Sequence, residues 1–433
     1  MKHNIGKYTI RLSGWGKDKY HREGAVMCPE NIYYNDNSSA LYIEYGIGKH
    51  IPDIWMFGQD TFGVYRINDT LITVNADGHG GTKPLLTEGK MMSYYSVLFG
   101  ILEIYQNTDH IKKIYKNSTL DSFMNSILQK IDNKLMYDFP ETKQFTTGGS
   151  TLTINIKFTD VNGNLVSITT NAGDSLLVRV DSSGIIEETM ELNCDSLEAY
   201  QLYVERCNTL GTTPVDVYLS RFNYKNGFEV NWMDNAYMPI MPFKLEKNND
   251  VYTATENIEE MKMFYNNAQR DFYKKHLLTG GIQSIRGMPG NIKKIEEGGY
   301  PSTNFGNTAE GICQCLPGSS IGDSVQKNGN RDMMLSHTKI HIYTKRGTEI
   351  MGSDGFFDTI TDKELVEKTK TTVEEDIRHT LIEHMCFNVN KYKWPIGWDD
   401  VTMCVTTVRK NKTKENKFVK KKEGRTRRKN IRK

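Results

Sequence analysis

Apolar and polar positions divide this chain into short strands and a few longer helices. Short segments in which apolar residues alternate with polar ones, or form brief apolar runs, predict β-strands. The predicted strands are 8–12, 41–45, 71–76, 152–158, 165–170, 176–180, 338–343, 348–351 and 401–408. Apolar residues at helical spacing predict helices over 88–106, 119–136, 258–278 and 362–387, with a helical pattern also at the end of 190–210.

Turn signals connect several of these strands into hairpins. An Asn-Asp pair at 68–69 separates the segment that begins near Asp60 from the strand that ends at Asp77. Asn and Asp tolerate the backbone conformations that tight turns require, so we expect Asp60 and Asp77 to lie on neighbouring strands. An Asn-Gly pair at 162–163 gives the same signal between the next two strands. We therefore predict a β-meander in the middle of the chain.

Two long stretches interrupt the strand pattern. Residues 212–250 are irregular and aromatic-rich, and residues 280–318 are rich in glycine and poor in apolar residues. Long segments without strong secondary structure often carry binding functions. We predict one domain over 1–409 with an insertion at about 212–312, followed by a basic tail at 410–433.

Composition narrows the class of protein. The 433 residues carry 55 Lys and Arg against 53 Asp and Glu, a formal net charge of +2, so the body is not a binder of polyanions. No apolar run reaches membrane-spanning length and no N-terminal apolar signal segment occurs, so we expect a cytoplasmic or nuclear protein. The seven cysteines are scattered, and one Cys-x-Cys pair at 313–315 makes a poor zinc site. We expect reduced thiols.

Basic residues concentrate at the end of the chain. The segment Lys420–Lys433 is mostly Lys and Arg with almost no apolar content, so on its own it should be disordered. Such a run binds nucleic acid, serves as a nuclear address or contacts acidic membrane surfaces. A solvated tail that only aids solubility is an equal alternative.

Aspartates stand at the ends of the predicted strands, often beside glycine. They are Asp60, Asp77, Asp174, Asp354 and Asp399. A surface turn explains any one of them. Buried together, such like charges would need compensating cations, and carboxylate oxygens suit Mg²⁺ or Mn²⁺, so a shared metal cluster explains the whole set.

The stretch LITVNADGHGG at 71–81 is the most informative part of this pattern. An apolar strand delivers Asp77 and His79 onto a glycine-rich turn, where backbone and ligand can approach closely. An imidazole beside a metal could exchange a proton near neutral pH. No glycine-rich phosphate loop of the GxxxxGK[ST] type and no Ser or Cys nucleophile motif stands out.

The order and wording of several motifs resemble the metal-dependent protein phosphatase 2C (PPM) family. The motifs are GQD at 58–60, ADGHGG at 76–81, NAGDS at 171–175, SSIGD at 319–323, SDGFFD at 353–358 and DDVT at 399–402. The resemblance covers roughly residues 55–409. It implies an α+β fold with a central antiparallel β-sandwich flanked by helices, in four αββα layers. It also implies a protein serine/threonine phosphatase that hydrolyses phosphoserine and phosphothreonine through a metal-activated water.

The resemblance also implies which residues bind metal. The implied ligands are Asp77, Gly78, Asp354, Asp399, Asp60, Asp174 and Gln59. Asp77 would bridge two Mn²⁺ or Mg²⁺ ions, and Gly78 would add its carbonyl oxygen. Asp354 and Asp399 would complete the shell of the first ion.

Further roles follow from the same resemblance. Asp60 would hold metal-bound water, and Asp174 together with Asp354 would mark a third, weaker metal site. His79 would be the general acid that protonates the leaving serine or threonine oxygen, so the implied catalytic residues are Asp77 and His79. The implied partner is a phosphoprotein substrate, and we expect a monomer.

The phosphate-binding position departs from the family pattern. Trp55 stands five residues before Asp60, where the family usually has an arginine. Without a guanidinium the phosphate loses a bidentate clamp. Arg11, Arg66 and Lys83 are the candidates to replace it.

Other departures support an alternative function. Gln59 replaces a glutamate found in many members and coordinates metal more weakly, Ser319 stands where the family often has arginine, and Asp400 replaces the usual asparagine. The alternative is a catalytically weak or inactive pseudophosphatase that keeps the fold and acts as a binding or regulatory protein.

Overall fold

The computed structural model describes most of the predicted core segments. The described residues are 1–17, 23–25, 44–47, 52–79, 87–138, 149–181, 183–188, 204–205, 207–209, 211, 213, 243–248, 251–256, 336–357, 359–360, 362–373, 376–391 and 399–411. The predicted helix at 258–278, Lys83, the Cys-x-Cys pair, Ser319 and the tail beyond 411 lie outside them. Within these residues the fold mixes antiparallel sheets with a few helices.

Sixteen strands and five α-helices are defined in the described part of the chain. The strands are β1 Lys2–Ile5, β2 Tyr8–Lys17, β3 Glu23–Ala25, β4 Asp53–Phe57, β5 Asp60–Ile67, β6 Thr70–His79, β7 Gly149–Ser150, β8 Leu152–Thr159, β9 Leu165–Ala172, β10 Leu176–Asp181, β11 Gly184–Glu188, β12 Phe243–Asn248, β13 Val251–Glu256, β14 His337–Tyr343, β15 Gly347–Gly352 and β16 Val401–Lys410. The helices are α1 Thr87–Ile114, α2 Leu120–Asn133, α3 Asp354–Phe357, α4 Asp362–Thr371 and α5 Ile377–Lys391, with a π-helical turn at Lys134–Asp138.

These strands form two large antiparallel sheets. Sheet 1 has the order β1-β2-β16-β15-β10-β11, with β3 also paired to β2, and sheet 2 has the order β14-β9-β8-β6-β5-β4, with β7 also paired to β6. β12 and β13 form a separate hairpin. Because β15 and β16 pair with each other, the chain segments before Asp354 and after Asp399 are brought together despite their separation in sequence.

Helices α1 and α2 cover one face of sheet 2. Helix α1 is buried over nearly all of its first half, whereas α2 buries a single stripe of apolar residues. The stripe of α2 consists of Leu120, Met124, Ile127, Leu128 and Ile131. Each such side chain contributes about 1.5–3 kcal/mol when fully buried, so this apolar core is a main source of stability. Among the described residues no helix is both long and apolar enough to cross a membrane.

Two further apolar clusters involve sheet 1. One combines side chains of both sheets and includes Leu12, Trp55, Phe62 and Cys404. The other lies between sheet 1 and helices α3–α5. The described cysteines, Cys207, Cys386 and Cys404, form no disulfide bond with one another.

A charged cluster centred on Glu349 is also buried among the strands. The Glu349 carboxylate accepts hydrogen bonds from Tyr343 Oη at 2.7 Å and Asn155 Nδ2 at 2.7 Å, and it forms ion pairs with Lys157 Nζ at 2.5 Å and Arg179 Nε at 3.1 Å. Burial opposes ionisation of Glu349, but the charges of Lys157 and Arg179 outweigh it and hold the pKa of this carboxyl below its usual range. The cluster thus joins strands of the two sheets through one carboxylate.

The predicted helix at 362–387 is wrong in one respect, because it is broken into α4 and α5. Its sequence has three consecutive β-branched residues at 371–373, which lower helix propensity. The Asp376 amide then donates to the Val373 carbonyl at 2.9 Å in a turn, and the Asp376 carbonyl accepts the Thr380 amide at 2.9 Å as α5 begins.

Two other local predictions are also wrong. Residues 243–248, predicted to be irregular, form β12 of a hairpin, and Glu44, predicted to lie within a strand at 41–45, is helical. Strand β1 was not predicted, because its residues are mostly polar. The predicted hairpins are confirmed, with a left-handed Asn68 (φ 49°) and Gly163 (φ 71°) in their turns.

Candidate functional site

Asp60 and Asp77 face each other across a pair of strands. They are register partners at the end of β5 and β6, as the hairpin signal predicts. Asp60 is fully buried, and its Oδ2 accepts a hydrogen bond from Thr402 Oγ1 at 3.0 Å. Its Oδ1 is buried with no hydrogen-bond partner among the described residues. A buried carboxylate oxygen without a donor favours a cation as its partner.

The backbone of Asp77 is held on both sides by hydroxyl-bearing residues. Its amide donates to Thr151 Oγ1 at 2.8 Å, and its carbonyl accepts from Ser150 Oγ at 3.0 Å and from the Thr151 amide at 2.8 Å. Thr151 Oγ1 also lies 2.7 Å from Ser175 Oγ. These contacts fix the main chain of Asp77 without using its carboxylate. Sequence reasoning did not single out Thr151, Ser150 or Ser175.

Gly78 occupies a place where no side chain fits. Its amide donates to the Gln59 carbonyl at 3.1 Å. A Cβ at position 78 would lie 2.0 Å from the Gly89 carbonyl oxygen and 2.8 Å from the Gln59 carbonyl oxygen. The first turn of α1 therefore packs directly against the end of β6.

A Gly78→Ala variant should lose several kcal/mol of its free energy of unfolding, since the added methyl group meets rigid backbone rather than a flexible side chain. The matched control is Gly100→Ala in α1, where the nearest atom to a Cβ is 3.4 Å away. Because alanine also favours the helix, Gly100→Ala should leave the stability unchanged or raise it by up to about 1 kcal/mol. Urea unfolding monitored by circular dichroism compares the two. Equal stabilities would contradict the close packing at Gly78.

Asp354 and Asp399 reach the same end of the sheets from β15 and β16. The Ser353 amide donates to the Thr402 carbonyl at 3.1 Å, and the Thr402 amide donates to Ser353 Oγ at 3.0 Å. A Cβ at Gly355 would lie 3.3 Å from the Cβ of Asp399. Asp354 Oδ1 is a second buried carboxylate oxygen with no hydrogen-bond partner among the described residues.

The carboxylates act on one another electrostatically. Asp77 is only partly exposed. Removal of water from its carboxyl raises the pKa of Asp77 well above its usual value, and the charges of Asp60, Asp354 and Asp399 raise it further. Burial likewise raises the pKa of Asp60, followed by the charge of Asp400 and that of Asp399. Such effects agree with the geometry, because Thr402 joins the segments of Asp354 and Asp399 to Asp60, the partner of Asp77 in its hairpin. Acids from three separate stretches of the chain therefore lie at one site.

The chemistry of this carboxylate cluster fits divalent cations. Its donors are oxygens, which Mg²⁺ and Mn²⁺ prefer, and two of them, on Asp60 and Asp354, are buried without a donor. In the described part of the chain, however, no three His, Cys, Asp or Glu side chains converge closely enough to ligate one ion. Carbonyl oxygens such as that of Gly78, or water, must complete the shell of any ion held here.

The remaining predicted site residues have different positions. Gln59 lies in the β4–β5 turn, and its amide donates to Asp400 Oδ2 at 2.8 Å. His79 ends β6 opposite Gly149 and is partly exposed. Asp174 lies in the bend after Gly173 (φ 93°), next to the serine that contacts Thr151.

Trp55, at the position where an arginine would bind the phosphate, is part of the apolar core. Trp55 is 4% exposed and stacks on Phe62 with ring centroids 5.8 Å apart. Arg66 donates to the Asn68 and Asn4 carbonyls at 3.3 and 3.0 Å, at the opposite end of β5 from Asp60 and about 20 Å away along the strand. Arg66 is therefore wrong as a replacement.

Arg11 is wrong for a similar reason. It pairs with Thr407 in β16, five residues from Thr402. This separation along a strand corresponds to about 16 Å. Lys83, the third candidate, is outside the described residues.

Comparison with known proteins gives a limited result. No family model matches the chain, and no curated protein matches it. Among solved structures, the chain is similar to the Staphylococcus aureus serine/threonine phosphatase Stp1 (12% identity, TM-score 0.41, 83% of this chain and 94% of that one). It is also similar to the Mycobacterium tuberculosis serine/threonine phosphatase PstP/Ppp (11%, 0.40, 92% and 97%) and to the PstP catalytic domain in complex with two manganese ions (12%, 0.39, 93% and 99%). Likeness of this degree does not establish an activity for this chain.

Proposed function

We propose that this chain is a metal-dependent serine/threonine protein phosphatase of the PPM type. The observation that carries the proposal is the meeting of Asp60, Asp77, Asp354 and Asp399 at one end of the two sheets, where one carboxylate oxygen each of Asp60 and Asp354 is buried without a hydrogen-bond partner among the described residues. The motifs that contain these acids also resemble that family in their residues and in their order along the chain.

The proposal includes the arrangement of the domain. Apolar clusters between α1–α2 and sheet 2, between the two sheets, and between sheet 1 and α3–α5 support a four-layer αββα sandwich. The catalytic domain would span 1–409 with an insertion at about 212–312. The basic tail at 410–433 would be a separate segment that contacts nucleic acid or acidic surfaces.

The site residues would bind the metal ions and position the water. Asp77, with the Gly78 carbonyl, Asp354 and Asp399, would hold two Mn²⁺ or Mg²⁺ ions, with Asp60, Gln59 and Asp174 as further ligands or holders of water. When bound, such ions polarise a phosphoryl group and supply a nucleophilic water at neutral pH. The Ser150 and Thr151 contacts keep the Asp77 backbone fixed while its carboxylate binds.

His79 would supply the proton that the leaving group needs. It ends β6 two residues after Asp77, on the same strand as the acid that faces Asp60. In its protonated form, the imidazolium of His79 can donate a ring N–H proton to the departing serine or threonine oxygen and become a neutral imidazole. The phosphoprotein substrate would thus be cleaved at its phosphoester bond, with the chain itself forming no covalent intermediate.

The position of Trp55 favours the second candidate, a pseudophosphatase that binds phosphoprotein without turnover. Its ring is packed between the sheets, so no guanidinium is available at that position to grip a phosphate. This observation weakens phosphate binding but leaves the fold intact.

A hydrolysis assay separates the two candidates. The full chain is incubated with a phosphothreonine peptide and, separately, with p-nitrophenyl phosphate. Each reaction contains either about 2 mM Mn²⁺, an excess of about 10³ over the enzyme, or EDTA. We expect phosphate release in Mn²⁺ and none in EDTA. Binding of Mn²⁺ or of the peptide without any release would refute the phosphatase and support the pseudophosphatase.

A further inference from the structure

Asp400 is wedged between the segments that carry two of the site acids. It is 2% exposed, and its Oδ2 accepts the amide of Gln59, the residue before Asp60, at 2.8 Å. A Cβ on Gly58, which has a left-handed backbone (φ 63°), would lie 2.1 Å from Asp400 Oδ1. The Asp400 carboxylate therefore lies directly on the turn that leads into Asp60.

The other side of Asp400 contacts the segment of Asp354. A Cβ on Gly355 would lie 2.2 Å from the Asp400 carbonyl oxygen, and the Asp400 amide donates to Asp399 Oδ1 at 3.0 Å. One residue thus touches the elements of Asp60, Asp354 and Asp399. Its position alone makes it part of the scaffold of the carboxylate cluster.

The hydrogen bond of Asp400 does not require a negative charge. An asparagine side-chain oxygen would accept the Gln59 amide equally well. A carboxylate instead adds a charge beside buried Asp60, whose Oδ1 has no hydrogen-bond partner among the described residues. Such a charge is unfavourable in the absence of a cation and favourable in its presence.

We infer that Asp400 is a positioning residue whose negative charge increases the affinity of the carboxylate cluster for a divalent cation, at a cost to the stability of the cation-free protein. The inference rests on the proposed function, because it takes the cluster to be a Mn²⁺ or Mg²⁺ site. It assigns Asp400 no direct bond to the cation and no contact with the substrate.

The test uses the full chain and its Asp400→Asn variant. Calorimetric titration with Mn²⁺ should show binding about tenfold or more weaker in Asp400→Asn than in the wild type. In EDTA, the melting temperature of the same variant should rise by about 2–4 °C, since the repulsion of Asp60 is relieved. Asp121→Asn removes the same charge from an exposed position in the first turn of α2, where a negative charge favours the helix. It should leave the Mn²⁺ affinity unchanged and should not raise the melting temperature in EDTA.

A lower Mn²⁺ affinity together with a higher melting temperature in EDTA is expected only if the negative charge of Asp400 acts on the carboxylate cluster. Equal Mn²⁺ affinities of the wild type and Asp400→Asn would overturn the inference, and so would a melting temperature in EDTA below that of the wild type. An Asp400→Asn variant that does not fold in EDTA has the second of these outcomes and would overturn the inference too. A wild type that binds no Mn²⁺ would instead overturn the proposed function, and this inference with it.

Discussion

Asp77→Asn should lower Mn²⁺-dependent phosphate release by about a thousandfold or more. Asparagine keeps the size of the side chain and every backbone contact with Ser150 and Thr151, so the strand end should keep its shape. It removes the charge that faces Asp60 and interacts with Asp354 and Asp399. Metal ions contribute several kcal/mol of transition-state stabilisation, and about 4 kcal/mol corresponds to a factor of 10³.

Initial rates with p-nitrophenyl phosphate in saturating Mn²⁺ measure this effect. The control is Asp121→Asn, which removes the same charge from the exposed face of α2 and should keep the wild-type rate. Circular dichroism in EDTA should show that Asp77→Asn is folded, with a melting temperature at or above that of the wild type, because a repulsive charge is gone. A rate within a factor of three of the wild type would mean that the carboxylate cluster is not the reacting centre.

Glu349→Gln should lower the free energy of unfolding by about 3–5 kcal/mol at pH 7. The glutamine keeps the volume of the side chain, but Lys157 and Arg179, both fully buried, lose the negative charge that they share. Removing one partner of a buried ion pair leaves an uncompensated charge in the protein interior, where water does not solvate it. Glu367→Gln, an exposed position of α4, is the control and should change stability by less than about 0.5 kcal/mol.

The pH dependence of unfolding gives a second test of Glu349. Its pKa in the folded protein lies below the ordinary value of 4.5, so its contribution is complete above that value and is lost as the pH falls below it. The difference in unfolding free energy between wild type and Glu349→Gln should therefore begin to shrink near pH 5 and continue to shrink as the pH falls toward the lowered pKa of the folded protein. Asp60 and Asp77, whose raised pKa values act in the opposite direction, are present in both proteins and cancel in the difference. A difference that is constant with pH would contradict an ionised Glu349.

Local sequence signals predicted the parts of the site that depend on neighbouring strands. The apolar alternation of β5 and β6 and the turn at 68–69 suffice to place Asp60 opposite Asp77. A hairpin sets its register within a few residues, so a single sequence carries that information. The same reasoning found the strands on either side of Gly163.

The sequence pattern alone could not place Asp354 and Asp399 beside that hairpin. Their proximity depends on the pairing of β15 with β16 and on the contact of Thr402 with Asp60, which joins residues 342 positions apart. No local periodicity encodes a contact of that range. Only the resemblance of the motifs indicated it, and the same resemblance could not say what takes the place of an arginine at Trp55.

Local sequence patterns also could not place the buried charged residues. In sequence, Lys157 and Arg179 are polar residues within predicted strands, where an outward-facing position is the simplest reading. The structure instead turns both toward Glu349, 170 residues or more away, inside the protein. Which face of a strand is buried depends on what packs on each side, and that is a property of the whole fold.

X-ray diffraction from crystals grown with Mn²⁺, recorded near the manganese absorption edge, addresses the metal site directly. We expect two anomalous peaks at the carboxylate cluster, both within about 2.0–2.3 Å of an Asp77 oxygen, which is the range for divalent ions bound by oxygen. No anomalous peak near Asp77, or manganese bound only elsewhere on the protein, would contradict a two-metal centre and the hydrolysis that depends on it.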